Sequence, residues 1–148
     1  ATMQLKGSYR FKAVIDRVWG ALMNPQVIAH LLPGVERLEP VGDNVYEAEM
    51  RLGIGPISGR YKARITLSEI DPPNHYRIRI QAQGPQGTVD ANGTIDLTAD
   101  DGETVMHYEG EAKVTGLLMS MGARLLEPTA QMLVNQGLKN LEAQLASP

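Results

Sequence analysis

The sequence of 148 residues has no cysteine, a single phenylalanine, a single tryptophan and no long apolar run. The absence of cysteine excludes disulfides, thiolate nucleophiles and cysteine-ligated metals. No segment approaches the 18 apolar residues of a membrane-spanning helix, and the N-terminus lacks the apolar region of a signal peptide. We therefore expect a cytoplasmic location, at the inner face of the cytoplasmic membrane if the protein contacts lipid.

The composition is that of an ordinary globular protein. Hydrophobic residues make up 43% and charged residues 21% of the chain, and the formal net charge is −3. A nucleic-acid-binding protein needs clustered positive charge, so no nucleic-acid partner is expected. The length predicts one domain over residues 1–148.

Alternation of apolar and polar residues dominates the chain. In the segment 44–52, Tyr46, Ala48, Met50 and Leu52 share one face of a strand. The same pattern predicts seven strands, at about 5–13, 35–41, 44–52, 57–70, 75–83, 88–99 and 105–114. One apolar face and one solvated face are typical of an antiparallel sheet.

Helical patterns occur in three places. We predict a short helix over 16–22 with Asp16 as its N-cap, and a second over 24–32 that starts at an Asn-Pro pair and stops at Pro-Gly. A long helix is predicted over 118–145, kinked or divided at Pro128. This order predicts an α+β fold in which a curved seven-stranded antiparallel sheet wraps around a long C-terminal helix.

The predicted inner face of the sheet is rich in small residues: Gly59, Ala63, Ala82, Ala91, Gly93, Gly110 and Ala112. Small residues allow tight bends in a sheet, and they also leave space for a ligand. Met119, Met121 and Met132 on the long helix suit either a core or an adaptable apolar site. Both interpretations stay open at this point.

Residues with catalytic or metal-binding spacing are not evident. The three histidines lie on different predicted elements, and the pairs Glu47/Glu49 and Glu109/Glu111 point outward from their strands. We expect no catalytic residues, no metal ligands and no covalently bound cofactor. A basic stripe of Arg60, Lys62 and Arg64, extended by Arg77 and Arg79, is either ordinary surface or a docking patch for an acidic partner.

Four segments carry a family resemblance that spans nearly the whole chain. They are ALMNPQVIAHLLPGVERLEPVGDNVYEAEM (21–50), RLGIGPISGRYKARITLSEIDPP (51–73), ANGTIDL (91–97), and ETVMHYEGEAKVTGLL followed by MGARLLEP (103–128). They resemble the CoxG family of carbon monoxide dehydrogenase subunits, part of the START/polyketide-cyclase-like (SRPBCC) superfamily, which has the helix-grip fold.

The resemblance implies a binding protein rather than an enzyme. It implies a lipophilic ligand, a menaquinone-like isoprenoid quinone, held between the sheet and the C-terminal helix. The implied partner is a molybdenum hydroxylase of the carbon monoxide dehydrogenase type. The protein would serve this enzyme in its association with the membrane or in its electron transfer to quinone, and would itself contact the membrane peripherally. Two alternatives are a cyclase or dehydratase of the same superfamily and an assembly factor that works without a ligand.

Sixteen residues are expected to line the ligand site. They are Leu31, Leu32, Pro33, Met50, Leu52, Tyr61, Ala82, Val89, Ile95, Met106, Tyr108, Leu118, Met121, Gly122, Leu125 and Leu126. The stretch 31–33 is either part of a closed core or a gate beside the cavity mouth. Tyr46, Tyr61 and Tyr108 are either core tyrosines or the polar groups that orient a ligand.

Overall fold

The strands and helices follow the predicted order. The computed structural model describes residues 2–54 and 57–146, with Ile54 described for its backbone alone. The elements are β1 (Thr2–Phe11), α1 (Ile15–Leu22), α2 (Pro25–Leu31), β2 (Val35–Gly42), β3 (Val45–Ile54), β4 (Ile57–Asp71), β5 (His75–Gly84), β6 (Gly87–Asp100), β7 (Glu103–Val114), α3 (Leu117–Met121) and α4 (Ala123–Ala146). Gly55 and Pro56, part of one quoted segment, lie outside the described residues.

The seven strands form one antiparallel sheet in the order β1-β7-β6-β5-β4-β3-β2. The first strand pairs with the last, so β1 and β2 are the two edges of the sheet. Helices α1 and α2 carry the chain from one edge to the other. The predicted architecture of a seven-stranded antiparallel sheet with a long C-terminal helix is confirmed.

Period-two alternation decides which side chains face the helices. On β4, Tyr61, Ala63 and Ile65 are buried, whereas Lys62 and Arg64 between them are exposed. Successive strand residues point to opposite faces, so the apolar set is directed toward α4 and the charged set toward solvent. We call these the inner and outer faces of the sheet.

The predicted start of α2 is confirmed and that of α1 is wrong. The Asn24 side chain accepts a hydrogen bond from the Gln26 amide at 2.9 Å, and Pro25 occupies the first helical position. The N-cap of helix α1 is Val14, two residues earlier than the predicted Asp16, and it has no side-chain cap. Asp16 therefore lies inside the first turn, where its carboxylate complements the helix dipole.

The predicted long helix is two helices, and they separate at Gly122 rather than at Pro128. Gly122 has φ 77° and ψ 159°, a conformation that favours glycine and ends α3. Helix α4 continues through Pro128. Pro128 is the sixth residue of α4, so it removes the hydrogen bond to the carbonyl of Arg124, four residues earlier, and its ring crowds that carbonyl.

Helices α1, α2 and α4 pack over one part of the inner face. The Asn140 amide donates to the His30 carbonyl at 2.9 Å, which joins α4 to α2. On α1, Trp19 packs edge-on against Tyr76 of β5, with ring centroids 5.7 Å apart. Helix α3 lies at the opposite end of the sheet, where the Leu118 amide donates to the Gln86 carbonyl in the β5–β6 turn at 3.0 Å.

Candidate functional site

Buried apolar residues form two separate clusters. The main cluster joins α1, α2, β3, β4 and the C-terminal half of α4, with single residues of other strands: Phe11, Val18, Leu22, Ile28, Tyr46, Ala48, Met50, Leu52, Tyr61, Ala63, Ile65, Leu67, Tyr76, Leu97, Met106, Leu138, Leu141 and Leu145. The second cluster, around α3 and the start of α4, contains Met3, Ala112, Val114, Leu118 and Leu126. A single continuous core would join these two sets.

The inner face of β5 and β6 lies between the two clusters and is incompletely covered. Its inward residues are Ile78, Ile80, Ala82, Val89, Ala91, Gly93 and Ile95, and all of them are half-buried. We call this surface the inner groove. Inward residues on central strands normally become fully buried when a helix packs directly on them, so the partial exposure shows that the helices cover this part of the inner face incompletely.

Two glycines shape the strand at the edge of the inner groove. Gly93 of β6 pairs with Gly110 of β7, and a Cβ added to Gly93 would lie 2.8 Å from the Glu109 carbonyl oxygen. A Cβ on Gly110 would lie 2.7 Å from the Asn92 carbonyl oxygen. These contacts favour close approach of the strands as the reason for both glycines, since a side chain would collide with backbone.

Tyr61 lies next to the inner groove with an unsatisfied hydroxyl. The residue is 2% exposed, and its hydroxyl has no hydrogen-bond partner within the described residues. Its ring covers Gly84 of β5, where an added Cβ would lie 2.5 Å from the ring carbon Cδ2. Burial raises the pKa of the Tyr61 phenol, so the hydroxyl keeps its proton and is a hydrogen-bond donor.

Tyr108 and Gln131 bridge the sheet and α4 by a polar contact. The Gln131 amide donates to the Tyr108 hydroxyl at 2.9 Å and to the Asn135 side-chain oxygen at 3.1 Å. The Tyr108 ring occupies the space that a side chain at Gly7 of β1 would fill. This half-buried pair is the second polar feature on the inner face.

Sequence reasoning missed Gln131, although a signal for it exists. Gln131 precedes Val134, Leu138, Leu141 and Leu145 at spacings of three and four residues, the pattern of the inward stripe of a helix. A polar residue at such a position indicates a partner or a ligand inside the fold. Ile78, Ile80 and Ala91 were also absent from the predicted site.

Most of the predicted site residues fall into two groups. Met50, Leu52, Tyr61 and Met106 belong to the main cluster, and Leu31, Leu32, Ala82, Ile95 and Tyr108 pack against it. Leu118 and Leu126 belong to the second cluster, and Val89 and Met121 pack against that one. Pro33 and Gly122 are half-buried.

The stretch 31–33 lies at a different level of α4 from Leu126. An added Cβ on Gly137 would lie 3.0 Å from the Leu31 carbonyl oxygen, and Gly137 follows Leu126 by 11 residues, or about 16 Å along a helix. Gly34 then turns the chain at φ 61°, and its carbonyl accepts from the Arg51 amide at 2.8 Å.

Several large apolar side chains near α3 face solvent. Leu117, Met119, Leu125 and Met132 are between 44% and 60% exposed. Leu125 and Met132 are seven residues apart and share one side of α4. The predicted ligand-site residue Leu125 therefore belongs to this exposed patch, which we call the α3 patch. None of the helices in the described ranges is long and apolar enough to cross a bilayer.

The outer face of the sheet carries a concave groove of about 740 Å³ with a charged lining. Arg64 donates to Glu47 at 2.9 Å, and Arg79 holds Asp90 through two hydrogen bonds of 2.8 Å and 3.1 Å. The predicted basic stripe is thus interleaved with carboxylates, which weakens any attraction for an acidic partner. This surface is too polar for an apolar ligand.

His75 is the centre of a charged network on the outer face. Its Nδ1 lies 2.7 Å from Asp96 and its Nε2 3.1 Å from Glu69, which also accepts from Arg77 at 2.6 Å. The two carboxylates raise the pKa of His75, and Arg77 with His75 lowers the pKa of Glu69. Across residues 2–54 and 57–146, no group of three or more acidic or histidine side chains is arranged to hold a metal ion.

Comparison with known families and structures identifies the relatives of this fold. Residues 7–146 match the family of the carbon monoxide dehydrogenase subunit CoxG. The chain belongs to the CoxG family. A conserved protein from Geobacillus kaustophilus is 33% identical, with a TM-score of 0.93 over 97% of this chain and 95% of that one. No curated protein sequence matches this CoxG-family chain.

Enzymes of the same fold are more distant. Norcoclaurine synthase from Thalictrum flavum superposes with a TM-score of 0.70 at 18% identity, covering 100% of this chain and 96% of that one. An aromatase/cyclase from Streptomyces gives 0.72 at 14% identity, covering 98% and 94%. These similarities show that the CoxG-family chain shares the helix-grip fold of SRPBCC-like proteins.

Proposed function

We propose that this CoxG-family protein binds a lipophilic ligand, an isoprenoid quinone of the menaquinone type, in the inner groove. The observation that supports this most directly is the half-exposed apolar surface of β5 and β6 between two buried clusters. An isoprenoid chain placed there would gain about 0.8 kcal/mol for each methylene-sized group removed from water. The few polar groups nearby, Tyr61 and the Tyr108–Gln131 pair, suit a ligand with a polar head.

The proposed role is that of an accessory protein rather than an enzyme. A cyclase or dehydratase needs an acid or base with a suitable pKa in its cavity. On the described strands, the ionisable residues of the inner face are tyrosines, and burial raises the pKa of Tyr61 and Tyr76. The related cyclase and synthase share the fold at less than 25% identity, which supports the fold alone.

The proposed partner is a molybdenum hydroxylase of the carbon monoxide dehydrogenase type, in accord with the family name. The chain would serve it in membrane association or in electron transfer to quinone. The α3 patch supports a peripheral contact with a bilayer, because exposed apolar side chains on α3 and on the first half of α4 can insert into the headgroup region.

Filling the inner groove tests ligand binding. Ala82 is half-buried on the inner face of β5, and its neighbour Gln81 is exposed on the outer face. We expect Ala82→Phe to abolish the thermal stabilisation that a polyprenyl naphthoquinone gives to the wild-type protein, and Gln81→Phe to preserve it. Absence of stabilisation in the wild type, together with no quinone in lipid extracts of protein purified from its own host, would refute the proposal.

The same variant separates quinone delivery from simple assembly. If the chain carries quinone to a hydroxylase, Ala82→Phe should bind the hydroxylase normally but fail to support quinone reduction in a reconstituted mixture. An assembly factor that works without ligand would support the enzyme equally well with Ala82→Phe and with Gln81→Phe.

A further inference from the structure

The Tyr61 hydroxyl is a buried donor without an acceptor among residues 2–54 and 57–146. Tyr61 is 2% exposed, and the described residues provide no acceptor for its hydroxyl. Most buried hydroxyls have a partner, because leaving one unsatisfied destabilises the folded state. Tyr9 provides a contrast within the same sheet, since its hydroxyl donates to Glu142 at 3.1 Å.

The surroundings of Tyr61 are closely packed. Gly59 precedes it on the same face of β4, where an added Cβ would lie 2.7 Å from the Pro85 ring, and the Tyr61 ring itself lies on Gly84 of β5. Ile57, one step further along that face, packs against both the main and the second cluster. Tyr61 therefore lies where the two clusters meet, at the end of the inner groove that is close to α3 and the β5–β6 turn.

We propose that the Tyr61 hydroxyl donates a hydrogen bond to a carbonyl oxygen of the bound ligand. This inference rests on the proposed function and specifies the ligand as an apolar molecule with a carbonyl at one end. The carbonyl end lies beside Tyr61, near α3, and the apolar remainder extends along Ile80 and Ile78 of β5. The hydroxyl is sealed in the ligand-free protein, so ligand entry displaces the side chains around it.

The test compares three ligands that differ in oxygen chemistry. They are a naphthoquinone with a four-isoprene side chain, the methyl ester of a long-chain fatty acid, and squalene, which has no oxygen. Equilibrium binding is measured for wild type, Tyr61→Phe and the control Tyr9→Phe. Melting temperatures are measured for the three ligand-free proteins.

We expect Tyr61→Phe to bind a carbonyl ligand about three- to tenfold more weakly, the effect of one neutral hydrogen bond, and to bind squalene as the wild type does. A loss for the naphthoquinone alone assigns the carbonyl to a quinone, and a loss for the ester alone assigns it to an acyl group. The ligand-free variant should melt at the same temperature as wild type or higher, because an unsatisfied donor has been removed. Tyr9→Phe should melt lower and bind all three ligands normally.

Different failures have different meanings. If Tyr61→Phe binds every probe as tightly as wild type, the inference is wrong while the proposed function stands. If ligand-free Tyr61→Phe melts lower, as Tyr9→Phe should, the hydroxyl already has a partner within the protein and the inference is also wrong. If the wild type binds none of the three probes, the proposed function and this inference fall together.

Discussion

Ile65 on β4 and Ile80 on β5 are cross-strand neighbours on the same face of the sheet, yet they differ in burial. Ile65 has 0% of its surface exposed, whereas Ile80 is half-buried. Ala63 and Ala82 form the next pair along these strands and differ in the same way. The boundary between closed core and open groove therefore runs between two adjacent strands.

The difference follows from the placement of the helices. The main cluster joins β3 and β4 to α1, α2 and the C-terminal half of α4, which seals that part of the inner face. The second cluster seals the far end around α3. Between them the apolar side chains of β5 and β6 are only partly covered by the two clusters, so the proposed ligand would supply the packing that a helix supplies elsewhere.

The largest expected effect is on stability at the isoleucine pair. Ile65→Ala removes a fully buried side chain and should lower the free energy of unfolding by about 4 kcal/mol. Ile80→Ala removes a side chain that water already reaches, and it should cost about 2 kcal/mol. Urea unfolding measures both. Equal losses would show that β5 is packed as tightly as β4.

Substitutions at the alanine pair should change stability less, and they act by adding side-chain volume rather than by removing it. Ala63→Leu overfills a sealed core and should destabilise by about 2 kcal/mol. Ala82→Leu extends into the inner groove and should change stability by less than about 0.5 kcal/mol while weakening ligand binding. Urea unfolding compares the stability of the two variants, and ligand binding is measured for Ala82→Leu. A strongly destabilised Ala82→Leu would contradict an open groove.

The smallest expected effect on stability comes from the outer face of β5 and β6. It tests whether these two strands are well ordered there even though their inner face is incompletely covered. His75 faces Asp96 and Glu69, with Arg77 on Glu69 and His107 opposite Asp96. Because the pKa of His75 is raised in the folded protein, its pairing stabilises fully below the ordinary value of 6.5 and is lost as pH rises through the folded value. The lowered pKa of Glu69 acts in the opposite sense, and its contribution is lost as pH falls through that lowered value.

Melting temperatures between pH 5.5 and 9 check this expectation. The difference between wild type and His75→Gln should be largest at the acidic end of this range and should shrink as the pH rises through the folded pKa of His75. His30→Gln, an exposed histidine on α2, is the control. A difference that does not vary with pH would indicate that the outer-face network is not formed and that β5 and β6 are loosely held on both sides.

Much of the fold could be predicted because strand alternation is a local property. The pattern around Tyr46, Ala48 and Met50 is enough to assign an inner face, and the Asn24-Pro25 pair is enough to start a helix. The separation of α3 from α4 at Gly122 could not be predicted. The chemistry of proline alone suggests a break at Pro128, whereas the backbone conformation of Gly122 depends on the contacts that the chain makes on either side of it.

The groove itself could not be predicted from alternation. Ile65 and Ile80 have the same pattern in sequence, and their difference depends on how far the helices stand from each strand. The assignment of Leu125 to the site had a simpler cause. Leu125 and Leu126 are successive residues, about 100° apart around a helix, so only one of them can face the sheet fully. Leu126 is buried and Leu125 is exposed.

The pairing of Gly93 with Gly110 also restricts how ligand preference can change among relatives of this protein. Neither position accepts a side chain without moving the backbone of the neighbouring strand. The wall that these glycines form is therefore fixed in shape. Variation in what the groove accepts has to come from substitutions at other positions, at Ile78 and Ile80 on the neighbouring strand β5 and at Gln131 of α4.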